Sequence, residues 1–220
     1  MPDDPATPAR DLEATRPSST ATTARLIDVV TDGHHGDTDA ARRALTDTEP
    51  AVRAAALGAL ARAGDLAVAD LLGGLADDSA VVRRRAAAEA AAVRGRGSRS
   101  DLPGALRRAL ADPDPLVAES ACWALGERRV RAAVPDLAAV AADHPDPRCR
   151  EAAVAALGAV GDRAGLSAVL AALDDKPAVR RRAAVALAGF GGPEVEEALR
   201  RCLSDRDWQV RQAAEILLAT

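Results

Sequence analysis

The chain has 220 residues, of which 48% are apolar and 28% charged, with a formal net charge of −4 at pH 7. Two Trp, one Phe and no Tyr leave too little aromatic bulk for a large sheet or a deep cofactor cavity. No apolar run is long enough to cross a membrane, and the N-terminus lacks the apolar stretch of a secretion signal. Cys122, Cys149 and Cys202 are odd in number and irregularly spaced. That pattern fits a reducing, cytoplasmic setting better than a disulfide framework or a zinc site.

Residues 1–24 are rich in Pro, Thr, Ser and Asp and show no apolar period, so they read as a disordered polar tail. From residue 25, at RLIDVV, the pattern turns helical, and 25–220 reads as one domain. His34 and His35, near Asp37 and Asp39, read as a polar linker because no third metal ligand stands at helical spacing. Beyond this point one phrase recurs six times: Asp, four spacers, Val-Arg, two spacers, Ala, three spacers, Leu. Its Val position falls at Val52, Val82, Val117, Cys149, Val179 and Val210, in steps of 30, 35, 32, 30 and 31 residues. Repeat bounds fall near 38–63, 64–97, 98–128, 129–161, 162–191 and 192–220.

The phrase has a direct physical reading. Val, the Ala four later and the Leu four later again share one stripe of an α-helix. The Ala (56, 86, 121, 153, 183, 214) admits close approach of a neighbouring helix. Leu60, Leu125, Leu157, Leu187 and Leu218 fill the next layer, and Ala90 breaks that series. Asp ahead of the Val suits a helix cap, and Pro50, Pro115, Pro147 and Pro177 suit a first turn. A second amphipathic segment separates consecutive phrases, so each unit is helix, tight turn, helix. One such pair cannot bury its own stripe, whereas stacked neighbours can. The predicted fold is all-α, an α-solenoid of about six helix-turn-helix units.

Over about residues 38–220 the phrase resembles the HEAT-repeat family, in its short, phycobilisome-lyase-type form. The resemblance implies a ladder of Asp and Arg six residues apart that joins neighbouring repeats. The matching pairs are Asp47/Arg53, Asp77/Arg83, Asp174/Arg180 and Asp205/Arg211, while Asp112/Ala118 and His144/Arg150 depart from it. It also implies that the second helix of each repeat faces a common inner surface. Positions two, three and six after the Val then line that surface, with Arg84 and Arg85 in repeat two and Arg181 and Arg182 in repeat five. Glu119, Trp123 and Glu151 stand between them. Trp123, on an alanine-rich face, is the expected anchor of a bound partner.

Residues 83–108 concentrate Arg, and RGRGSRS at 94–100 reads as an extended basic loop able to meet phosphate or an acidic protein surface. No Ser/His/Asp grouping, phosphate-cradling Gly loop or CxxC occurs, and the three Cys read as small apolar fillers. The resulting expectation is a non-catalytic protein-binding scaffold with no metal or cofactor, binding through its inner face. Ile216, Leu217 and Leu218 of the last helix are expected to support contact with a partner or a second copy. Two other readings are a nucleic-acid-binding protein of DNA-repair type and a bilin-lyase-like protein. Net acidity and scarce aromatics weigh against the first, and the absence of any tetrapyrrole-pocket signature weighs against the second.

Overall fold

A computed structural model describes residues 19–35, 38–93 and 101–219. Its helices are α1 (Ser19–His35), α2 (Asp39–Ala44), α3 (Pro50–Ala63), α4 (Val68–Leu75), α5 (Ala80–Ala90), α6 (Leu102–Ala109) and α7 (Pro115–Glu127). They continue as α8 (Val134–Asp143), α9 (Pro147–Val160), α10 (Leu166–Ala171), α11 (Pro177–Ala186), α12 (Pro193–Cys202) and α13 (Trp208–Leu218). No strand occurs among the described residues. Six hairpins follow α1, pairing α2 with α3 and so on to α12 with α13. The second helices pack in series, each against the one before and the one after, with α1 on the free side of α3. The first helices form a thinner layer over them.

The repeated phrase explains this packing. All six Val-position residues and all six middle Ala residues are buried, the Ala completely. Leu60, Leu125, Leu157 and Leu187 are buried as well, whereas Leu218 on α13 is 36% exposed. Pro50, Pro115, Pro147 and Pro177 each begin a second helix, where the missing N–H has no intrahelical partner to lose. Asp114, Asp146 and Asp207 cap α7, α9 and α13 by accepting N–H bonds of 2.8, 2.9 and 3.0 Å. Gly64 and Gly161 end α3 and α9 at φ 73° and 65°; the equivalent turn after α7 forces Arg129 to φ 49°.

Two expectations shift at the N-terminal side. Helix α1 starts at Ser19, inside the stretch read as tail, and runs on through His34 and His35, read as linker. Its Arg25 makes an ion pair of 2.9 Å with Asp47, so α1 serves as the second helix of a preceding half-repeat. The side chains of His34, His35 and Asp37 lie outside the described residues, as do 1–18 and the basic 94–100 segment.

A ladder of Arg–Asp pairs joins neighbouring repeats. Within three of the four matched pairs the guanidinium donates to a backbone carbonyl: Arg53 to Asp47, Arg83 to Asp77 and Arg211 to Asp205, at 2.8, 3.0 and 2.7 Å, whereas Arg180 donates to the Asp175 carbonyl at 3.1 Å. The carboxylate is engaged by the preceding repeat instead. Arg53 grips Asp77, Arg83 grips Asp112, Arg150 grips Asp175 and Arg180 grips Asp205, each through two N–H groups. Asp174 is not a rung, contrary to the sequence expectation. A 3-10 turn over Ala172–Asp174 absorbs it and leaves it exposed, and Asp175 takes the bonding position. Asp112 and Arg150, which had stood in departing pairs, are full rungs. Among the described residues the ladder breaks only between repeats three and four, where Ala118 lacks a guanidinium and His144 lacks a carboxylate. His144 Nδ1 still accepts the Asp146 N–H at 3.1 Å, as Asp47, Asp77 and Asp112 accept the N–H two residues downstream. Both partners are lost together, so no buried charge is stranded.

These bonds set a pH dependence. The guanidinium of Arg53 holds Asp77 below its ordinary value of 3.8, and Arg83 and Arg150 do the same for Asp112 and Asp175. Asp47 is lowered chiefly by the Glu49 N–H. Burial pulls Asp205 upward, but Arg180 and the Asp207 N–H outweigh it. Carboxylates lowered in the folded state contribute stability that is complete above 3.8 and is lost as pH falls through the folded values. The urea midpoint is therefore expected to hold from pH 7 to about 5 and to fall below about 4. A midpoint unchanged to pH 3 would mean that the ladder contributes no net stability.

Candidate functional site

The second-helix layer carries a series of shallow grooves between successive helices. One of about 300 Å³ lies over α3 and α5 and is lined by Ala54, Ala55, Val81, Arg84, Arg85 and Ala88. A second, of about 310 Å³ between α5 and α7, is lined by Arg84, Leu116, Glu119, Ser120 and Trp123. The third, about 450 Å³ between α7 and α9, has a floor of Gly126, Ala152, Ala155, Ala156 and Ala159. Its walls are Glu119, Trp123, Glu127, Arg148, Glu151 and Arg182. The fourth and largest, about 680 Å³, spans α9, α11 and α13 and exposes Val185 and Ile216 beside Arg181 and Arg182. Shared residues join neighbours: Arg84, then Glu119 and Trp123, then Glu151 and Arg182. All seven residues singled out on the expected inner face border this continuous surface.

Their charges are not equally available. Arg85 is paired with Glu89 at 2.8 Å and lies over Gly58. Arg181 meets Asp207 at 3.1 Å and Gln209 at 2.8 Å. Arg182 reaches across a repeat to Glu151 at 3.3 Å. Arg84 is exposed and makes no ion pair among the described residues. Trp123 is 50% exposed, the largest side chain on the alanine-lined part of the surface.

Sequence reasoning missed two wall residues. Glu127 lies one helical turn beyond Trp123, as Glu119 lies one turn before it, and the four-residue spacing could have shown it. Arg148 occupies the position before the Val slot, and its guanidinium is held by Asp146 at 2.7 Å. A further set of cross-repeat pairs joins the first-helix layer: Arg42 with Asp70, Arg107 with Asp136, and Arg163, in the 3-10 turn before α10, with Glu194. Arg108 pairs with Asp101 at 3.0 Å. Most described arginines of the 83–108 stretch are thus engaged within the fold, which leaves Arg84 as its free cation among the described residues. Arg128 caps α5 from α7, donating to the Ala90 and Val93 carbonyls at 2.8 and 2.6 Å.

The cysteines have the environment of packing residues. Burial pushes the thiols of Cys122 and Cys202 up, and that of Cys149 up to about 11; the Cys149 thiol lies 3.1 Å from the Pro115 carbonyl. Raised thiols disfavour the thiolate that nucleophilic chemistry needs. At the C-terminal side Ile216 and Leu217 line the fourth groove, so α13 extends the shared surface.

HEAT repeats match residues 13–92, 102–184 and 166–219, nearly the whole chain. The chain belongs to the HEAT-repeat family. Solved repeat structures share the fold at low identity. YibA of Escherichia coli is 20% identical, with 93% of this chain and 76% of that one covered, at a TM-score of 0.66. The CpcE–CpcF complex of phycocyanin lyase from a Nostoc species is 20% identical, over 96% and 79%, at 0.62. A designed armadillo repeat protein, solved in complex with the peptide (KR)4, is 19% identical, over 89% and 97%, at 0.58. No curated protein sequence matches the chain. At these identities the likeness is one of fold, and it includes both a peptide-bound repeat protein and a lyase subunit pair. No helix among the described residues is long and apolar enough to cross a membrane.

Proposed function

We propose that this HEAT-repeat chain is a non-catalytic scaffold that binds a protein partner along the face of its second helices. The observation that carries the reading is the half-exposed Trp123 indole on a continuous groove whose floor is otherwise Ala and Gly. Apolar side chains recur along the same face at Val81, Val185 and Ile216, each more than half exposed. A large indole beside a small-residue floor is the setting in which binding hot spots concentrate. The designed armadillo repeat protein that shares this fold was solved in complex with the peptide (KR)4, which supports a peptide or protein ligand for such a fold. Burial raises the three thiols, which weighs against nucleophilic chemistry at cysteine.

The test is photo-crosslinking in cells from the organism that makes the protein. A photoreactive residue at Val185, in the groove, is compared with one at Glu197, on first-layer helix α12. Capture of a defined protein from position 185 and none from 197 is expected. Adding Trp123→Ala is expected to cost about 2 kcal/mol, roughly thirtyfold in affinity, with helicity unchanged. Equal capture from both faces, or none from position 185, would reject the reading.

A further inference from the structure

We infer that the α7–α9 groove takes a basic side chain, Lys or Arg, from an extended segment of the partner, seated on the Trp123 indole between Glu119 and Glu127. This inference rests on the groove reading above and specifies its chemistry. Glu119, Trp123 and Glu127 follow one another at four-residue intervals on α7, so they form one stripe along the groove wall. The two arginines on the same walls are already held. Arg148 is bound by Asp146 at 2.7 Å and Arg182 by Glu151 at 3.3 Å. Glu119 and Glu127 make no hydrogen bond or ion pair among the described residues, although Glu119 lies within the field of Arg148. The groove therefore presents two uncompensated carboxylates on either side of an exposed aromatic face.

A cation is the ligand group that both features favour. The negative face of the indole attracts an ammonium or guanidinium, and flanking carboxylates complete its coordination. The floor of small residues leaves about 450 Å³, into which an aliphatic stem can lie while its charged head reaches the rim. An acidic side chain here would meet two unpaired carboxylates and the electron-rich ring, and would be repelled. Arg84 shares the adjoining α5–α7 groove with Glu119 and Trp123 and makes no ion pair among the described residues, so positive charge meets the segment on that side of the indole. The charge order along the surface thus favours a mixed segment whose basic residue is placed at Trp123.

The experiment titrates the full chain with labelled alternating Ala-Arg, Ala-Glu and Ala-Gln peptides, following peptide anisotropy and indole emission in a Trp208→Phe background. The Ala-Arg peptide is expected to bind most tightly and to perturb Trp123 emission. Glu119→Gln with Glu127→Gln is expected to weaken it about tenfold. Asp143→Asn with Glu197→Gln, which removes the same charge from the first-helix layer, is expected to leave binding within about twofold. Equal loss in both double variants, tighter binding of the Ala-Glu peptide, or unchanged affinity in the Glu119/Glu127 variant would each overturn the inference. If the Ala-Arg peptide fails while position 185 still captures a protein, the groove reading stands and the basic ligand is rejected. Loss of capture at 185 rejects the groove reading itself.

Discussion

Gly158→Ala is expected to destabilise the protein by about 2–3 kcal/mol, and Gly189→Ala by a similar amount. Both glycines stand where α9 meets the turn that ends α11. A Cβ on Gly158 would lie 2.7 Å from the Ala186 Cβ, 2.8 Å from its Cα and 3.0 Å from its carbonyl oxygen. A Cβ on Gly189 would collide with the Gly158 carbonyl oxygen. The obstructing atoms belong to backbone or to an Ala side chain with no rotamer to change, so the two second helices must move apart. Stability in a repeat array is roughly a sum of unit terms and nearest-neighbour interfaces, and damage at one interface uncouples the repeats on its far side. Hydrogen exchange is therefore expected to show α11–α13 losing protection before α3–α9, with the urea midpoint reduced. Gly73→Ala is the control of opposite sign. Gly73 is exposed inside α4 with nothing within 4 Å of its added Cβ, so removing chain entropy there is expected to stabilise by about 0.5–1 kcal/mol. Equal effects at Gly73 and Gly158 would contradict the close approach.

Arg83→Ala is the second large effect. The Arg83 guanidinium binds both oxygens of Asp112 at 2.7 and 2.9 Å, and the two side chains are only 16% and 7% exposed. Removing the cation leaves a buried carboxylate without its main partner, at a cost of about 2–4 kcal/mol. Adding Asp112→Asn is expected to recover at least about 1 kcal/mol, because the neutral amide oxygen can still accept the Asp114 N–H while the stranded charge is gone. The break between repeats three and four is the native counterpart of this double change, with Ala118 and His144 in the two slots. Thermal unfolding of the single and double variants gives the comparison. A double variant less stable than Arg83→Ala alone would show that the carboxylate is adequately solvated by itself.

Much of this architecture was legible because its determinants repeat. The Val, Ala and Leu stripe, the helix-starting prolines and the capping aspartates all act within a few residues, and six copies in register make the period plain. The lining of the second-helix face was legible in the same way, since a helical wheel puts positions two, three and six beside the core stripe. The hidden part depends on which residues meet across repeats. Asp174 and Asp175 are adjacent and chemically identical, and only the 3-10 turn at the end of α10 selects the second. Arg25 belongs to a helix whose sequence lacks the repeated phrase, so its role as the first rung emerges only when α1 packs on α3.

The arginines make the same point about function. By composition, the 83–108 stretch is a basic patch, yet Arg83, Arg85, Arg107 and Arg108 are each drawn into an ion pair within the fold. Charge counted along a chain measures what could attract a ligand. Charge left after intramolecular pairing measures what still does.

The helical hairpin, its period and the stripe it buries follow from the chain's own pattern, because turn geometry and apolar spacing are local properties that every repeat restates. Packing between hairpins settled which carboxylate each ladder guanidinium holds, and that Arg182 is held by Glu151 beside Trp123. Those outcomes depend on distances between residues more than twenty positions apart, which are set only when neighbouring hairpins stack.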